Sequence, residues 1–176
     1  MHKLGVYISE EILRGSNHKI INFFRILFKL GNQNATLLIR IFQIASKKNG
    51  LLNWFISGVV RNRLIKVYGI ELSKRTEIGL GLKIGHANGI IIGEGVKIGE
   101  NVTIYHQVTL GISGVKDKGN YESYPRVGDD CIIYAGAKVL GNIHIGKGTV
   151  IGANSVVLCD TEENSVYAGI PAKRIK

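Results

Sequence analysis

The chain has 176 residues, 45% of them hydrophobic and 20% charged, with only two prolines; this is enough apolar side chain for one packed domain and excludes wholesale disorder. Two cysteines, Cys131 and Cys159, are too few for a disulfide framework and set the expectation of a reducing, cytoplasmic setting. No run of roughly eighteen apolar residues occurs, so a spanning helix is not expected, and the opening MHKLGVYISEE lacks the charged-then-apolar layout of a secretory signal.

The net charge of +10 is unevenly placed. Residues 1–70 hold eleven basic side chains (Lys3, Arg14, Lys19, Arg25, Lys29, Arg40, Lys47, Lys48, Arg61, Arg63 and Lys66) against Glu10 and Glu11, a net +9. The rest of the chain holds +1. A basic segment joined to a near-neutral one suggests contact with something anionic, a lipid surface or an acidic polymer, against the alternative of a solvated helical face. Aromatic and basic residues do not interleave as in nucleic-acid modules, so nucleic acid is not an expected partner.

Residues 1–70 read as a basic α-helical region. Ile20, Phe23, Phe24, Leu27 and Leu30 fall at three- and four-residue steps, which predicts an amphipathic helix over 18–30. Asn32 to Asn34 reads as a break, and Leu38, Ile41, Phe42 and Ala45 predict a second helix over 35–48. Asn49-Gly50 is a turn signal, and a third helix runs from Leu51 to Tyr68 with Gly69 in the stop position. Arg61, Arg63 and Lys66 near its end mark it as a packing or interfacial helix, not a spanning one.

From Leu72 the period becomes six. Aliphatic residues fall at Leu72, Ile78 and Ile84, resume after a two-residue slip at Ile92, Ile98, Ile104 and Leu110, and resume again at Val127, Ile133, Val139, Ile145, Ile151 and Val157. Glycine follows the aliphatic at 79, 85, 93, 99, 111, 128, 146 and 152, eight of the first twelve hexads, where composition alone would put about 1.6 there. Four places after the aliphatic comes a small or apolar residue (Thr76, Leu82, Val96, Val102, Val108, Cys131, Ala137, Ile143, Thr149, Ser155), with Asn88 the polar exception.

A period of six is neither helical nor simple strand, so its meaning is geometric. A short strand and a tight turn make one flat face, and three faces close a triangular coil of about eighteen residues whose stacking buries the aliphatic ladder. Each stacked Ile or Val contributes roughly 1.5–3 kcal/mol relative to exposure, so many hexads together make the core. A β-sandwich would repeat its turns at about 8–12 residues instead. The pattern predicts a β-solenoid over 71–165 and a tail over 166–176. Ile112–Arg126 (ISGVKDKGNYESYPR) is out of register and predicts a functional loop.

These hexads resemble the left-handed parallel β-helix of hexapeptide-repeat acyltransferases, and the handedness comes from that resemblance, since the general crossover rule gives the opposite hand. ELSKRTEIGLGLKIGHANG at 71–89, VTLG at 108–111, AGAKVLG at 135–141, IGANSVV at 151–157 and AGIPAKRI at 168–175 are similar to the serine acetyltransferase family in particular. The resemblance implies an all-β left-handed β-helix with a short N-terminal α-helical region, a homotrimer, and transfer of an acetyl group from acetyl-CoA to a hydroxyl. Such chemistry needs a base for the hydroxyl proton and a group that orients the base. The family's base falls on His86 and its carboxylate partner on Glu71, where aspartate is usual.

By the same resemblance, Gly111, Ala135, Ala137 and Ala153 match donor-groove positions, with Lys173 and Arg174 as candidates for the nucleotide phosphates. The sequence also departs from the family. Serine acetyltransferases usually carry aspartate before the catalytic histidine and an arginine-histidine pair before the loop proline, to hold the amino acid; here stand Gly85, Ser123 and Tyr124. This looks more like the short members of polysaccharide gene sets, which acetylate sugar hydroxyls in capsule, exopolysaccharide or O-antigen synthesis. Asn120, Tyr121 and Tyr124 are then candidate sugar contacts beside a second cleft histidine, His106. Because surface glycans are commonly built on lipid carriers, peripheral contact of residues 1–70 with the inner face of the membrane is expected. A serine O-acetyltransferase of cysteine biosynthesis is the alternative. A zinc enzyme of the carbonic anhydrase type is disfavoured because no close histidine pair of metal-site spacing occurs, so no metal is expected. A non-catalytic scaffold is disfavoured by the intact His86 and Glu71 pair.

Overall fold

A computed structural model describes residues 4–12, 31–114 and 119–176. The helix expected over 18–30 lies outside the described residues. The described N-terminal part opens with α1 (Leu4–Tyr7), which runs into a π-helical turn at Ile8–Ile12. Two longer helices follow, α2 (Asn32–Ser46) and α3 (Leu51–Tyr68). Gly69 adopts the left-handed conformation at φ 61° and closes α3, its N–H bonding Ile65 C=O at 2.9 Å while Ile70 N–H reaches Leu64 C=O at 3.1 Å. The expected break at Asn32–Asn34 is instead the first turn of α2, because those asparagines spend their amides on distant parts of the chain.

The remainder is a left-handed β-helix of three parallel sheets. The first holds β1 (Glu71–Leu72), β4 (Ile91–Ile92), β7 (Thr109–Gly111), β10 (Lys138–Leu140) and β13 (Val156–Val157). The second holds β2 (Glu77–Ile78), β5 (Lys97–Ile98), β8 (Arg126–Val127) and β11 (His144–Ile145). The third holds β3 (Lys83–Ile84), β6 (Thr103–Ile104), β9 (Ile132–Ile133), β12 (Val150–Ile151), β14 (Val166–Gly169) and β15 (Ala172–Arg174). Residues 166–176, expected as a tail, extend this third sheet: β14 pairs parallel with β12, and β15 folds back antiparallel on β14.

The aliphatic ladder is the core. All thirteen hexad aliphatics from Leu72 to Val157 are buried, as are the ten small or apolar residues four places after them, while Asn88 is exposed. A second periodicity explains the turns. The third residue after the aliphatic takes left-handed backbone at Asn101, Gln107, Asp130 and Asn154, with φ of 57°, 59°, 58° and 56°, and at Gly81, Gly136 and Gly148. Asparagine, aspartate and glycine are the residues that tolerate this conformation best. Register shows where the regular coil is stretched. Glu71 lies beside Ile91, Ile91 beside Thr109, Thr109 beside Lys138 and Lys138 beside Val156. The first of these coils is therefore two residues longer than the regular eighteen, and the third is eleven longer. The two extra residues fall in the turn around His86, and the eleven fall within the segment 112–126.

The helices meet the prism through a buried ion pair. Arg40, fully buried in α2, donates through Nε and Nη2 to the Glu11 carboxylate at 2.8 and 2.5 Å, and both side chains are 0% exposed. Its other donors reach Gln43 Oε1 at 2.8 Å, Ile78 C=O at 2.9 Å and Gly79 C=O at 2.5 Å, so all five guanidinium hydrogens are used. Glu11 Oε1 in turn accepts from the backbone N–H groups of Gly81 and Leu82. Arg40 thus leaves the basic surface inferred for residues 1–70 and becomes a clasp between helix and coil.

Candidate active site

His86 occupies the turn that leaves the third sheet after β3 and enters the first at β4. In the register of the third sheet Ile84 stands beside Ile104, Ile104 beside Ile133, and Ile151 beside Ile133. Two residues further on, His86, His106, Ala135 and Ala153 therefore form one column along the prism edge, about 14 Å long at the usual strand spacing. The two imidazoles meet edge to face with ring centroids 5.5 Å apart. His86 is exposed, whereas His106 is half-buried and its Nδ1 is sealed from solvent with no hydrogen-bond partner among the described residues. A buried ring nitrogen without a partner costs roughly 1–3 kcal/mol.

One residue before that column runs a second: Gly85, Tyr105, Tyr134 and Gly152. Tyr105 and Tyr134 stack with centroids 5.1 Å apart. A Cβ built on Gly85 would lie 2.5 Å from Tyr105 Cδ1, so the space in which serine acetyltransferases usually carry an aspartate is filled by this ring. Neither tyrosine is among the candidates drawn from the sequence, yet both carry a signal there. They interrupt the glycine column at the same register, where a side chain had displaced the small residue.

Glu71 starts β1 beside Ile91, on the face that the His86 turn leads into, and its N–H bonds Ile90 C=O at 2.9 Å. It is exposed and lines the cleft between the α2–α3 hairpin and the first sheet, with Trp54, Arg61 and Lys74. Among the described residues no ion pair joins it to His86.

The remaining candidates divide. Ala135 and Ala153 share the histidine edge, whereas Ala137 is fully buried in the core and Gly111 ends β7 on another corner, its C=O accepting from Gly141 N–H at 2.9 Å. Lys173 is exposed beside Ala168, next to Gly152, and so near the far end of the histidine edge. Arg174 is paired with Glu162. The loop residues sit elsewhere in the same chain. Asn120 Oδ1 caps the turn Tyr121–Ser123 by accepting from Glu122 N–H at 3.1 Å, and the Tyr121 ring lies 4.2 Å under the Arg75 guanidinium. Tyr124 packs against Gly93 and Gly95, where any Cβ would strike its ring. These three residues hold the loop on the corner between the first and second sheets, away from His86 of their own chain. His144 is exposed on β11, and among the described residues no group of three His, Cys, Asp or Glu is placed to hold a metal ion.

A triangular coil stacked from six-residue repeats defines a hexapeptide-repeat protein. The family model for the bacterial transferase hexapeptide (six repeats) matches residues 124–159. The serine acetyltransferase of Staphylococcus xylosus is 45% identical over 134 residues, 76% of this chain and 59% of that protein. A truncated serine acetyltransferase apoenzyme structure superposes with a TM-score of 0.74 at 30% identity, covering 98% of this chain and 68% of that one. A serine acetyltransferase solved in complex with CoA gives 0.75 at 29% identity, covering 98% and 69%. This chain belongs to the serine acetyltransferase family of hexapeptide-repeat acyltransferases. It spans about half the length of the curated relatives it matches, 41–59%.

Proposed function

We propose that the chain is an O-acetyltransferase that moves the acetyl group of acetyl-CoA to a hydroxyl, with His86 as the general base. The observation that carries this reading is the edge column, in which an exposed imidazole is followed along the coils by alanines whose small side chains let a narrow ligand lie against the backbone. A relative solved with CoA supports the same donor. His86 takes the hydroxyl proton as the acceptor oxygen attacks the thioester carbonyl, and returns it to the coenzyme sulfur as the C–S bond breaks, so that the coenzyme leaves as a thiol. Glu71, across the same edge, orients the imidazole. Ala135 and Ala153 contact the donor through backbone, Ala137 supports that wall from inside, Lys173 and Arg174 take the phosphates, and Gly111, on the loop corner, reaches the donor only from a neighbouring chain. In a homotrimer the loop corner of one chain faces the histidine edge of the next, which is how Asn120, Tyr121 and Tyr124 reach an acceptor beside His106.

For the acceptor, the relatives weigh towards L-serine: those reported above are serine acetyltransferases, and nothing among them supports a polysaccharide role. One observation favours a second reading, a sugar hydroxyl. The Tyr105 ring fills the place of the aspartate that would hold an amino group, and Ser123 and Tyr124 replace the cationic pair for a carboxylate. CoA-thiol release from acetyl-CoA with L-serine, and separately with purified sugars or surface polysaccharide, decides between them. Turnover with serine at the efficiency of its relatives removes the sugar reading, turnover with sugar alone removes serine, and release with neither removes the transferase.

We also propose that α3 lies on an anionic membrane surface. Leu51, Leu52, Trp54, Phe55 and Val59 are 86%, 70%, 74%, 61% and 52% exposed, and Arg61, Arg63 and Lys66 are exposed beside them. Among the described residues no helix is long and apolar enough to cross a membrane. Co-sedimentation with anionic vesicles at low salt is expected, and its absence there removes the proposal.

A further inference from the structure

Asn32 begins α2, yet its side chain belongs to the turn around His86. Its Nδ2 donates to Gly85 C=O at 2.5 Å and its Oδ1 accepts from Ala87 N–H at 2.9 Å. The first of these groups lies in the peptide plane that precedes His86, the second in the plane that follows it. Two planar units meeting at one Cα, each held from outside, leave the Cα–Cβ direction of that residue no freedom to turn. The bracket therefore sets where the imidazole starts from.

The bracket is itself anchored. Tyr68 Oη donates to Asn34 Oδ1 at 2.9 Å and accepts from Gly31 N–H at 3.2 Å, and Tyr68 C=O accepts from Gly89 N–H at 2.9 Å. The start of α2 and the end of α3 thus hold the turn at both ends, while the Tyr105 ring closes against Gly85. Asparagine is suited to the task because one short neutral amide carries a donor and an acceptor in one plane. Aspartate lacks the donor, leucine lacks both, and glutamine places them one methylene too far.

We propose that Asn32 is a positioning residue for His86, and that the helical region serves the active site by holding the catalytic turn. This rests on His86 as the base, and the test separates the two. In Asn32→Leu, which keeps the volume without the hydrogen bonds, kcat for CoA-thiol release falls about 10- to 100-fold while KM for acetyl-CoA stays within about twofold. Asn32→Gln recovers part of the rate. Ile145→Ala, in the core of the second sheet and away from the bracket, is the control for stability, and it keeps most of the rate at a melting-temperature shift at least as large. Two readouts need no turnover: amide hydrogen exchange at Ala87 accelerates in Asn32→Leu, and the His86 ring resonances shift. Should Asn32→Leu fail to fold, Asn32→Gln carries the same exchange and resonance measurements. Unchanged Ala87 exchange, a kcat within about threefold of wild type, or a loss no greater than that of Ile145→Ala would overturn the assignment. Faster Ala87 exchange with no transferase activity in wild type would leave the bracket standing and remove His86 as base.

Discussion

The prism and the helices are built on different principles. In the prism each coil repeats the last, and its core is thirteen interchangeable aliphatic positions stacked on one another. In the helices a few polar residues act once each at long range: Arg40 with Glu11, Ile78 and Gly79, Asn32 with Gly85 and Ala87, and Tyr68 with Asn34 and Gly89. Redundant apolar contacts tolerate local damage, whereas a single polar clasp fails as a unit. The proposed site around His86 lies where the two meet, so its geometry would inherit the rigidity of the coil and the specificity of the clasp.

The comparison breaks if the clasp is dispensable. Arg40→Met leaves the Glu11 carboxylate buried without its cation and should cost about 3–5 kcal/mol in urea or thermal unfolding. Replacing both partners, Arg40→Met with Glu11→Leu, should recover most of that loss, because the penalty belongs to the orphaned charge. Equal stability in the single variant would mean that the helices dock by apolar packing instead. Within the prism, Ile133→Ala should cost about 2–5 kcal/mol through the cavity it leaves, with a graded rather than total loss of the solenoid.

A smaller effect sharpens the contrast between the inside and outside of the coil. Cys131 is buried, its Sγ 3.1 Å from Gly146 C=O, and burial pushes its thiol up to about 11; Cys159 is exposed. The thiolate is the reactive form, so a thiol reagent near neutral pH should titrate Cys159 alone in the folded chain and both cysteines after denaturation. Rapid reaction of Cys131 in the native state would show that the prism opens far more readily than its packing implies.

The same contrast explains what was legible in the sequence. The prism announces itself because hexads place Ile, Val and Gly at a fixed spacing, and even the stretched coil at His86 and the loop at 112–126 appear as breaks in register. Asn32 and Arg40 carry no such signal. Arg40 reads as one basic residue among eleven, and its neutralisation depends on a glutamate twenty-nine residues earlier. Asn32 reads as a turn former because nothing local shows that its partners lie more than fifty residues away. Tyr105 and Tyr134 lie between these extremes, visible as interruptions of the glycine column once the register is used. The second predicted helix was readable from its apolar steps, since periodicity within one element needs no distant partner, and the third from its Asn49-Gly50 turn and Gly69 stop.

The central claim is that one imidazole at the prism edge removes the acceptor proton. It is tested most directly by measuring CoA-thiol release from wild type and His86→Ala side by side, with the better acceptor and with the fold of both checked by circular dichroism. The account predicts a loss of about 10²- to 10⁴-fold in kcat with the β-helix intact. A folded His86→Ala protein that turns over within about threefold of wild type would contradict it.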